Sequence, residues 1–425
     1  MTRNILLSGA LVLTLLLAAC GGPRMVPRSK VALPGEPADV VAADERANRT
    51  GERLFPATCQ LLGGLYPDNP LQTYLQKVGK RLLAPDEAGR FVVVNESRPD
   101  ALALPGGFIL VTRGLLAELE REGQLAALLA HQLAHVRQGH AAQLAEASQG
   151  EPPPLVPGPS YAPEARLAPE RAGLLLKSRF TPRQEAEALR ESLPLLAKAG
   201  FDPREGVRLQ EFFLARGEAS PAGWREGLLK RHPPAGNDLK ALDRESGALA
   251  GAATRTGDGE FHQALKRLRA NLPGFALYDE ARALERGGQL REAVAIYLRA
   301  ASAAPDESII LAALGTAYLQ AGDLGSARLH LAKAVSLDQR YYYSRMGLGY
   351  AHLQQGGTAA AIAELEASLR LLPSQRAAFL LAEAYEKEGK ISAARQFYRA
   401  VAAADSRSKL GEFAAQRLLE LEATQ

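Results

Sequence analysis

Two histidines stand four residues apart in the apolar stretch "LLAHQLAHVRQGH", which ends at His140. On a helix, residues at this spacing share one face, so His131 and His135 can present two imidazoles to a single zinc ion. Between them, where a hydrolytic site of this kind carries a carboxylate, stands Gln132. A carboxamide can hydrogen-bond a water molecule but has no useful basicity at neutral pH. The stretch therefore predicts metal binding without an efficient proton acceptor.

A third protein ligand must come from elsewhere, because zinc in hydrolases usually takes three protein ligands and leaves the fourth position to water. The later stretch "TPRQEAEAL" offers Glu185 and Glu187 on a predicted helix. His140 lies about a third of a turn away from the face of the histidine pair, which favours a structural role. A histidine pair alone is also typical of an exposed polar helix face, so its context matters.

The elements that would position these residues follow from the hydrophobic pattern. A long helix is predicted from about Glu122 to Ala147, and it carries the histidines. Before it, "RFVVVNE" predicts a short buried strand and "DALALPGGFILVTRGLL" a strand pair broken at Pro105-Gly106-Gly107. "GEPPPLVPGPSYAPEA" has too many prolines for helix or strand and predicts an exposed loop, after which helical patterning resumes.

The C-terminal third repeats with a period of 33 or 34 residues. A glycine closes each helical segment, and an alanine follows five residues later where paired helices approach closely. This pattern resembles the tetratricopeptide repeat and predicts four repeats from about Phe275 to Asp405, with "LGEFAAQRLLELEA" as a closing helix. The repeating positions are Gly288, Gly322, Gly356 and Gly389, with Ala293, Ala327, Ala361 and Ala394.

The N-terminus "MTRNILLSGALVLTLLLAACGG" has the features of a secretory signal. Leu17-Ala18-Ala19-Cys20 resembles the bacterial lipobox, so we expect Cys20 to be lipidated; the alternative is a plain signal peptide cut near Ala19. No Asp follows Cys20, which favours an outer-membrane lipoprotein facing the periplasm. Only Cys59 would remain beside Cys20 in the mature chain, so no disulfide is expected from the body of the protein.

The chain has 425 residues, 47% hydrophobic and 23% charged, with a formal net charge of +4. The length allows two or three domains. Because the basic residues are scattered among acidic ones, no nucleic-acid-binding surface is predicted. The predicted divisions are a signal peptide over 1–19, a flexible tether over 20–52, a catalytic-type domain over 53–242, a linker over 243–273 and repeats over 274–425.

Four stretches in order, "GLYPDNPLQTYLQKVGKRL", "DALALPGGFILVTRGLL", "QLAALLAHQLAHVRQGH" and "QEAEALRESLPLLAKAGFDP", resemble the HtpX and BepA-like zinc metallopeptidases, relatives of the CAAX prenyl proteases. The resemblance covers about Leu54 to Leu242. It implies an α+β zincin-like metallopeptidase domain, followed by an all-α tetratricopeptide-repeat solenoid. It further implies one Zn²⁺ held by His131, His135 and Glu185, the first carboxylate of the family's ExxxD. His232 resembles a family histidine that can close over the metal as a regulatory ligand; the alternative is a surface histidine before a Pro-Pro turn.

Two positions depart from the family pattern. Gln132 replaces the HExxH glutamate, which takes a proton from the attacking water, and losing a general base typically costs about a hundred- to ten-thousand-fold in rate. Leu189 replaces the ExxxD aspartate, which fixes a neighbouring group beside the metal; such a loss weakens affinity or activity by about ten- to a hundred-fold. The predicted metal ligands are retained, whereas the general base and the aspartate beside the metal are lost.

The sequence thus predicts a lipid-anchored, zinc-binding pseudoprotease that acts as a chaperone or scaffold in outer-membrane protein assembly or quality control. Its expected partners are unfolded or assembling envelope proteins, a protein on the repeats, and the membrane through the lipid. One alternative is an active metalloendopeptidase in which Glu187 or His232 serves as the base. Another is a metal-free interaction protein that works through its repeats alone.

Overall fold

The computed structural model describes residues 38–148, 168–219, 221–233, 239–251 and 256–423. The predicted signal peptide, Cys20 and the whole proline-rich stretch of residues 150–165 lie outside these described residues. Within the described ranges, no helix is both long enough and apolar enough to cross a membrane.

A small sheet lies at the centre of the N-terminal part. It consists of β1 (Arg90–Val94), β2 (Ala101–Leu104) and β3 (Phe108–Thr112), in the order β1-β3-β2. β1 pairs parallel with β3, and β2 pairs antiparallel with β3. Gly106 and Gly107 make the β2–β3 turn with φ of 76° and 81°, values that glycine adopts without steric cost. The predicted strand and strand pair are confirmed, and β2 is an edge strand.

Helices cover both faces of this sheet, which is why its strands are apolar at nearly every position. Val93 and Ile109 pack into the same core cluster as Tyr74 and Leu75, whereas Val92 and Leu110 pack on the other side in a different cluster. Among the described residues, the helices of this part are α1 (Ala38–Leu61), α2 (Asn69–Lys80), α3 (Arg113–Glu118), α4 (Glu122–Arg137), α5 (His140–Ala147), α6 (Ala168–Leu175), α7 (Pro182–Lys198), α8 (Arg204–Ala219), α9 (Pro221–Glu226), α10 (Leu228–Arg231) and α11 (Leu239–Leu249).

Two sequence expectations need correction here. The predicted long helix of residues 122–147 is broken, because Gly139 adopts a φ of 71° and ends α4 before α5 begins. Residues 38–52, assigned to the flexible tether, belong to α1. Their sequence "ADVVAADERANRTGE" is rich in helix formers and has no proline, so tertiary packing can extend the helix outward.

The C-terminal part is all-helical, as predicted. Gly288, Gly322, Gly356 and Gly389 have φ between 76° and 81° and separate the helices within each pair. Ala293, Ala327, Ala361 and Ala394 are fully buried, as expected of small residues between close helices. The helices are α12 (Asp258–Ala264), α13 (Lys266–Ala270), α14 (Leu272–Arg286), α15 (Leu290–Ala303), α16 (Ser308–Ala321), α17 (Leu324–Leu337), α18 (Tyr342–Gln354), α19 (Thr358–Leu371), α20 (Gln375–Lys387), α21 (Ile391–Ala404) and α22 (Lys409–Ala423).

The segment expected to be a linker, 243–273, contains the end of α11 and both short helices α12 and α13. Phe261, Leu265 and Leu268 are fully buried and join the core cluster of the N-terminal part. The exact division of the chain into domains stays a prediction.

Candidate metal centre

Helix α4 is buried from Gln124 to His135, and this fixes both histidines in the interior. An apolar helix of this kind is surrounded by protein on all sides. His131 is 4% exposed and His135 is fully buried. Their Nε2 atoms lie 3.2 Å apart, so the predicted convergence of the two imidazoles is found in the structure.

Helix α7 brings Glu185 to the same place. Its N-terminus is closed by a capping box: Thr181 Oγ1 accepts from Gln184 N, and Gln184 Oε1 accepts from Thr181 N. Pro182 occupies the first turn, where a missing N–H costs nothing. The Glu185 carboxylate is 1% exposed; its Oε2 lies 3.0 Å from His131 Nε2 and its Oε1 3.3 Å from His135 Nε2.

His232 completes a group that we call the four-donor cluster: His131, His135, Glu185 and His232. One ligand atom from each lies within 4.8 Å of all the others. His232 Nδ1 is 2.9 Å from Glu185 Oε1, and its Nε2 is 3.1 Å from the Ala101 carbonyl oxygen of β2. His232 is 6% exposed, so the alternative of a surface histidine is wrong.

Gln132 is fully buried beside this cluster. Its Nε2 lies 3.2 Å from His232 Nε2. With the His232 proton on Nδ1, the imidazole donates to Glu185 and accepts from the Gln132 amide. With the proton on Nε2, it donates to the Ala101 carbonyl and leaves Nδ1 free to act as a ligand. Gln132 Oε1 has no hydrogen-bond partner in the described part of the chain.

Burial and the carboxylate set the charges in the cluster. Burial lowers the pKa of His135 to about 3, so its imidazole is neutral at pH 7 and keeps a lone pair for a cation. Burial alone would raise the pKa of Glu185, but the electrostatic effect of the nearby His232 imidazole and hydrogen bonds with His131, His135 and His232 bring that pKa well below its usual value. An ionised carboxylate among imidazoles is a suitable donor set for a divalent ion.

The remaining predicted residues lie around this cluster rather than in it. His140 Nδ1 is 3.2 Å from His135 Nδ1, and His140 Nε2 is 3.2 Å from Glu187 Oε2. Glu187 also accepts from Arg183, so its carboxylate contacts His140 and Arg183 rather than one of the four donors. Leu189 packs in an apolar cluster with Ala186, Leu193, Val207 and Leu242.

Comparisons with known proteins identify the family to which this arrangement of ligands belongs. Residues 67–246 match Peptidase family M48, and residues 278–341 and 346–409 match the tetratricopeptide repeat. The chain carries a Peptidase M48 domain. The tetratricopeptide repeats follow this M48 domain in the chain, which confirms the predicted resemblance and fold class.

Three relatives illustrate how far the similarity extends. The beta-barrel assembly-enhancing protease of Yersinia pestis is 31% identical over 152 residues, covering 32% of this chain and 31% of the relative. The protein of the same name from Escherichia coli strain K12 is 29% identical over 153 residues, with the same coverages of 32% and 31%. The mitochondrial metalloendopeptidase OMA1 of Schizosaccharomyces pombe is 28% identical over 175 residues, covering 40% of this chain and 49% of the relative. The chain thus spans about a third to a half of the length of these three relatives.

The donor distances test whether zinc, on which family M48 depends, fits the four-donor cluster. Tetrahedral zinc with bonds of about 2.0 to 2.1 Å places its ligand atoms about 3.3 Å apart. The nearest donor pairs of the cluster are 2.9 to 3.3 Å apart, with Glu185 contacting His131 through Oε2 and His135 and His232 through Oε1, and all four donors lie within 4.8 Å of one another. Three imidazoles and one carboxylate are also ligand types that zinc accepts. The residues of the M48 domain therefore fit the ion.

Sequence reasoning missed three residues next to the cluster. The Phe180 ring stacks on the His135 imidazole with centroids 3.8 Å apart, and the buried Arg231 pairs with Asp100 at the start of β2. Two signals were present: Phe180 directly precedes the helix cap at Thr181, and Asp100 is a charged residue at the head of an apolar strand. Trp224, a buried residue, packs against Phe213.

Proposed function

We propose that this chain is a zinc-binding M48 protein with strongly reduced proteolytic turnover, which binds polypeptides in the cell envelope. The observation that carries the proposal is the position of Gln132: a buried carboxamide stands where the family glutamate takes a proton, and its Nε2 lies 3.2 Å from His232 Nε2. The amide therefore contacts a ring in the cluster without being able to accept a proton at neutral pH.

His131, His135 and Glu185 would hold the zinc ion, with His232 as the fourth donor. When bound, zinc supplies Lewis-acid polarisation of a carbonyl group and acidifies water. Structural zinc sites are closed by four protein ligands, whereas catalytic sites keep one position open. Four donors within 4.8 Å support a site in this chain that His232 can close.

The envelope location rests on the N-terminal sequence and on the relatives. Leu17-Ala18-Ala19-Cys20 supports a signal peptide and a lipid on Cys20, hence an outer-membrane lipoprotein facing the periplasm. Relatives named for enhancing β-barrel assembly support unfolded or assembling envelope proteins as clients. The repeats support a protein partner of their own.

The test measures zinc content and proteolysis on one preparation of the full chain, with casein and an unfolded outer-membrane protein as substrates. We expect close to one zinc per chain, and cleavage by Gln132→Glu about a hundred- to ten-thousand-fold faster than by the native protein. His131→Ala in the Gln132→Glu background is the control and should abolish cleavage. Chelator-sensitive cleavage by the native chain at the rate of Gln132→Glu would overturn the proposal, and a metal-free native chain would favour action through the repeats alone.

A second candidate is an active peptidase in which His232 supplies the base. The position of His232 within the cluster favours this candidate, whereas Glu187 is directed toward His140 and Arg183. The variant His232→Ala separates the two: it should remove any cleavage if His232 is the base, and should leave cleavage unchanged or faster if His232 closes the site.

A further inference from the structure

The short segment 228–232 lies along the start of the edge strand β2. It contacts three successive residues there, Pro99, Asp100 and Ala101. Leu228 N donates to the Pro99 carbonyl at 2.8 Å. Arg231 pairs with the Asp100 carboxylate, and His232 Nε2 lies 3.1 Å from the Ala101 carbonyl oxygen. The segment that delivers His232 to the four-donor cluster is therefore held against one side of the cluster by residues 99–101.

Every guanidinium nitrogen of Arg231 makes at least one hydrogen bond, although only 6% of the side chain is exposed. Its Nε lies 3.3 Å from both carboxylate oxygens of Asp100. Its Nη1 donates to the carbonyls of Leu175 and Ser178, each at 3.1 Å, and its Nη2 donates to the Leu176 carbonyl at 2.8 Å. Lysine could not reproduce this set, because only the planar guanidinium presents donors in several fixed directions.

Asp100, the partner of Arg231, is held in place by hydrogen bonds of its own. Its Oδ1 accepts from Ala101 N at 2.9 Å. Its backbone N donates to Thr112 Oγ1 at 2.9 Å, and its carbonyl accepts from Thr112 N at 3.0 Å. Any movement of residues 228–232 away from β2 must therefore break the contact at Arg231, since Asp100 cannot follow.

Arg231 also contacts the segment 175–180, which carries the Phe180 ring that stacks on His135. The carbonyls that it binds belong to the end of α6 and the turn after it, and Arg231 O accepts from Phe180 N at 3.0 Å. Phe180 in turn stacks on His135 and lies 5.2 Å, centroid to centroid, from His232. One arginine thus connects the edge strand, the turn that carries Phe180 and the residue next to His232.

We propose that Arg231 and Asp100 form a latch that holds His232 in the four-donor cluster. In this role Arg231 is a positioning residue, which acts on the metal through its neighbour. With the latch closed, His232 completes the donor set; with the latch broken, the segment 228–232 leaves β2 and the cluster keeps three donors. The inference rests on the proposed function, because it takes the cluster to be a metal site.

The test loads the full chain with Co²⁺ and records its visible absorption, which is strong for four-coordinate and weaker for five- or six-coordinate cobalt. In parallel, zinc release to a chromophoric chelator is timed. We expect Arg231→Gln and Asp100→Asn to shift the cobalt spectrum toward that of His232→Ala and to speed zinc release by about ten- to a hundred-fold. For Arg231→Lys, both the cobalt spectrum and the rate of zinc release should lie between those of these two variants and those of the native protein. Arg190→Gln, which breaks an exposed ion pair with Glu245, is the matched control and should change neither readout.

Each outcome has a distinct meaning. If His232→Ala changes the spectrum while Arg231→Gln and Asp100→Asn leave it native, the latch is wrong and the proposed function stands. If the native chain binds neither cobalt nor zinc, the proposed function fails and the latch with it. Should Arg231→Gln not fold, as judged by circular dichroism, Asp100→Asn decides, because its amide oxygen can still accept from Ala101 N.

Discussion

The Tyr66 hydroxyl donates a hydrogen bond of 3.1 Å to Glu307 Oε1, across 241 positions of sequence. The same oxygen accepts from Asn271 Nδ2 at 2.6 Å and from Arg267 Nη2 at 3.4 Å, and the Glu307 side chain is fully buried. Tyr66 precedes α2 of the M48 domain, and Glu307 is the residue before α16 of the repeats. One buried carboxylate therefore joins the two parts of the chain.

This contact predicts different effects for two substitutions of Glu307. Glu307→Ala leaves three donors without their acceptor, so we expect a loss of about 2 to 3 kcal/mol in the free energy of unfolding. Glu307→Gln keeps a carbonyl oxygen in place and should cost less than about 1 kcal/mol. Urea unfolding followed by circular dichroism measures both values. Equal losses from the two variants would mean that the hydrogen bonds to Oε1 do not stabilise the junction.

Glu307 also predicts a pH dependence with a definite sign. Burial raises its pKa above the ordinary value of 4.5, against the opposing effects of Arg267, Asn271 and Tyr66. A carboxyl group with a raised native pKa binds its proton more tightly in the folded state, so its contribution to stability is complete below pH 4.5 and falls as pH rises through the native pKa. The stability of the native protein relative to Glu307→Gln should therefore increase as pH is lowered from 7 toward 4.5. The opposite trend would contradict the burial of the carboxylate.

Local patterns were enough to predict the repeats, the strands and the pairing of His131 with His135, whereas Glu185 and His232 were predicted as metal ligands from the family resemblance. The glycine and alanine period fixes helix ends and helix contacts inside each repeat, which are interactions between near neighbours in sequence. The four residues from Phe91 to Val94 form an uninterrupted apolar run, and His131 and His135 lie on one turn of helix, so their local structure follows directly. These features needed no knowledge of distant contacts.

The contacts between distant residues could not be predicted in this way. Asp100 and Arg231 are 131 positions apart, and no periodicity links them. The tether was expected to reach residue 52, but the side chain of Gln60 near the end of α1 donates to Arg340 O and accepts from Tyr342 N in the repeats. Such packing favours a helix over a flexible tether, and it depends on residues almost 300 positions away.

Restoring the family's aspartate at position 189 tests whether that position still adjoins the metal ligands. Leu189 is 1% exposed and lies in an apolar cluster between α7, α8 and α11. We expect Leu189→Asp to lower the free energy of unfolding by about 3 to 5 kcal/mol, because it removes a packed side chain and buries a carboxyl group. Urea unfolding followed by the fluorescence of Trp224, the only tryptophan, measures the change in the M48 domain.

The matched control is Leu249→Asp, at a leucine that is 44% exposed on α11. This variant should change stability by less than about 0.5 kcal/mol. A Leu189→Asp protein as stable as the native one, with tighter zinc binding, would instead place the side chain of residue 189 in contact with the metal ligands.

Cys59 is predicted to be unreactive in the folded protein. It is 3% exposed on α1, and burial raises its pKa to about 12. Thiol reagents attack the thiolate, and at pH 8 such a thiol is ionised to about one part in ten thousand, against roughly a quarter for an ordinary cysteine. In a Cys20→Ser variant, Ellman's reagent should therefore react at least about a hundredfold faster in urea than in native buffer. Rapid labelling of the folded variant would show that α1 opens readily at this position.

Removing the metal should destabilise the M48 domain, because a ligand that binds only the folded state adds RT ln(1 + [L]/Kd) to its stability. With free zinc at about a thousand times its Kd, the gain is about 4 kcal/mol. We expect EDTA to lower the unfolding midpoint monitored by Trp224, and His131→Ala to start at the lower midpoint and to be insensitive to EDTA. The exposed His262, which lies on α12 outside the four-donor cluster, gives the control: His262→Ala should behave as the native chain. If EDTA shifts the native protein and His131→Ala equally, the chelator acts elsewhere and His131 does not hold the ion.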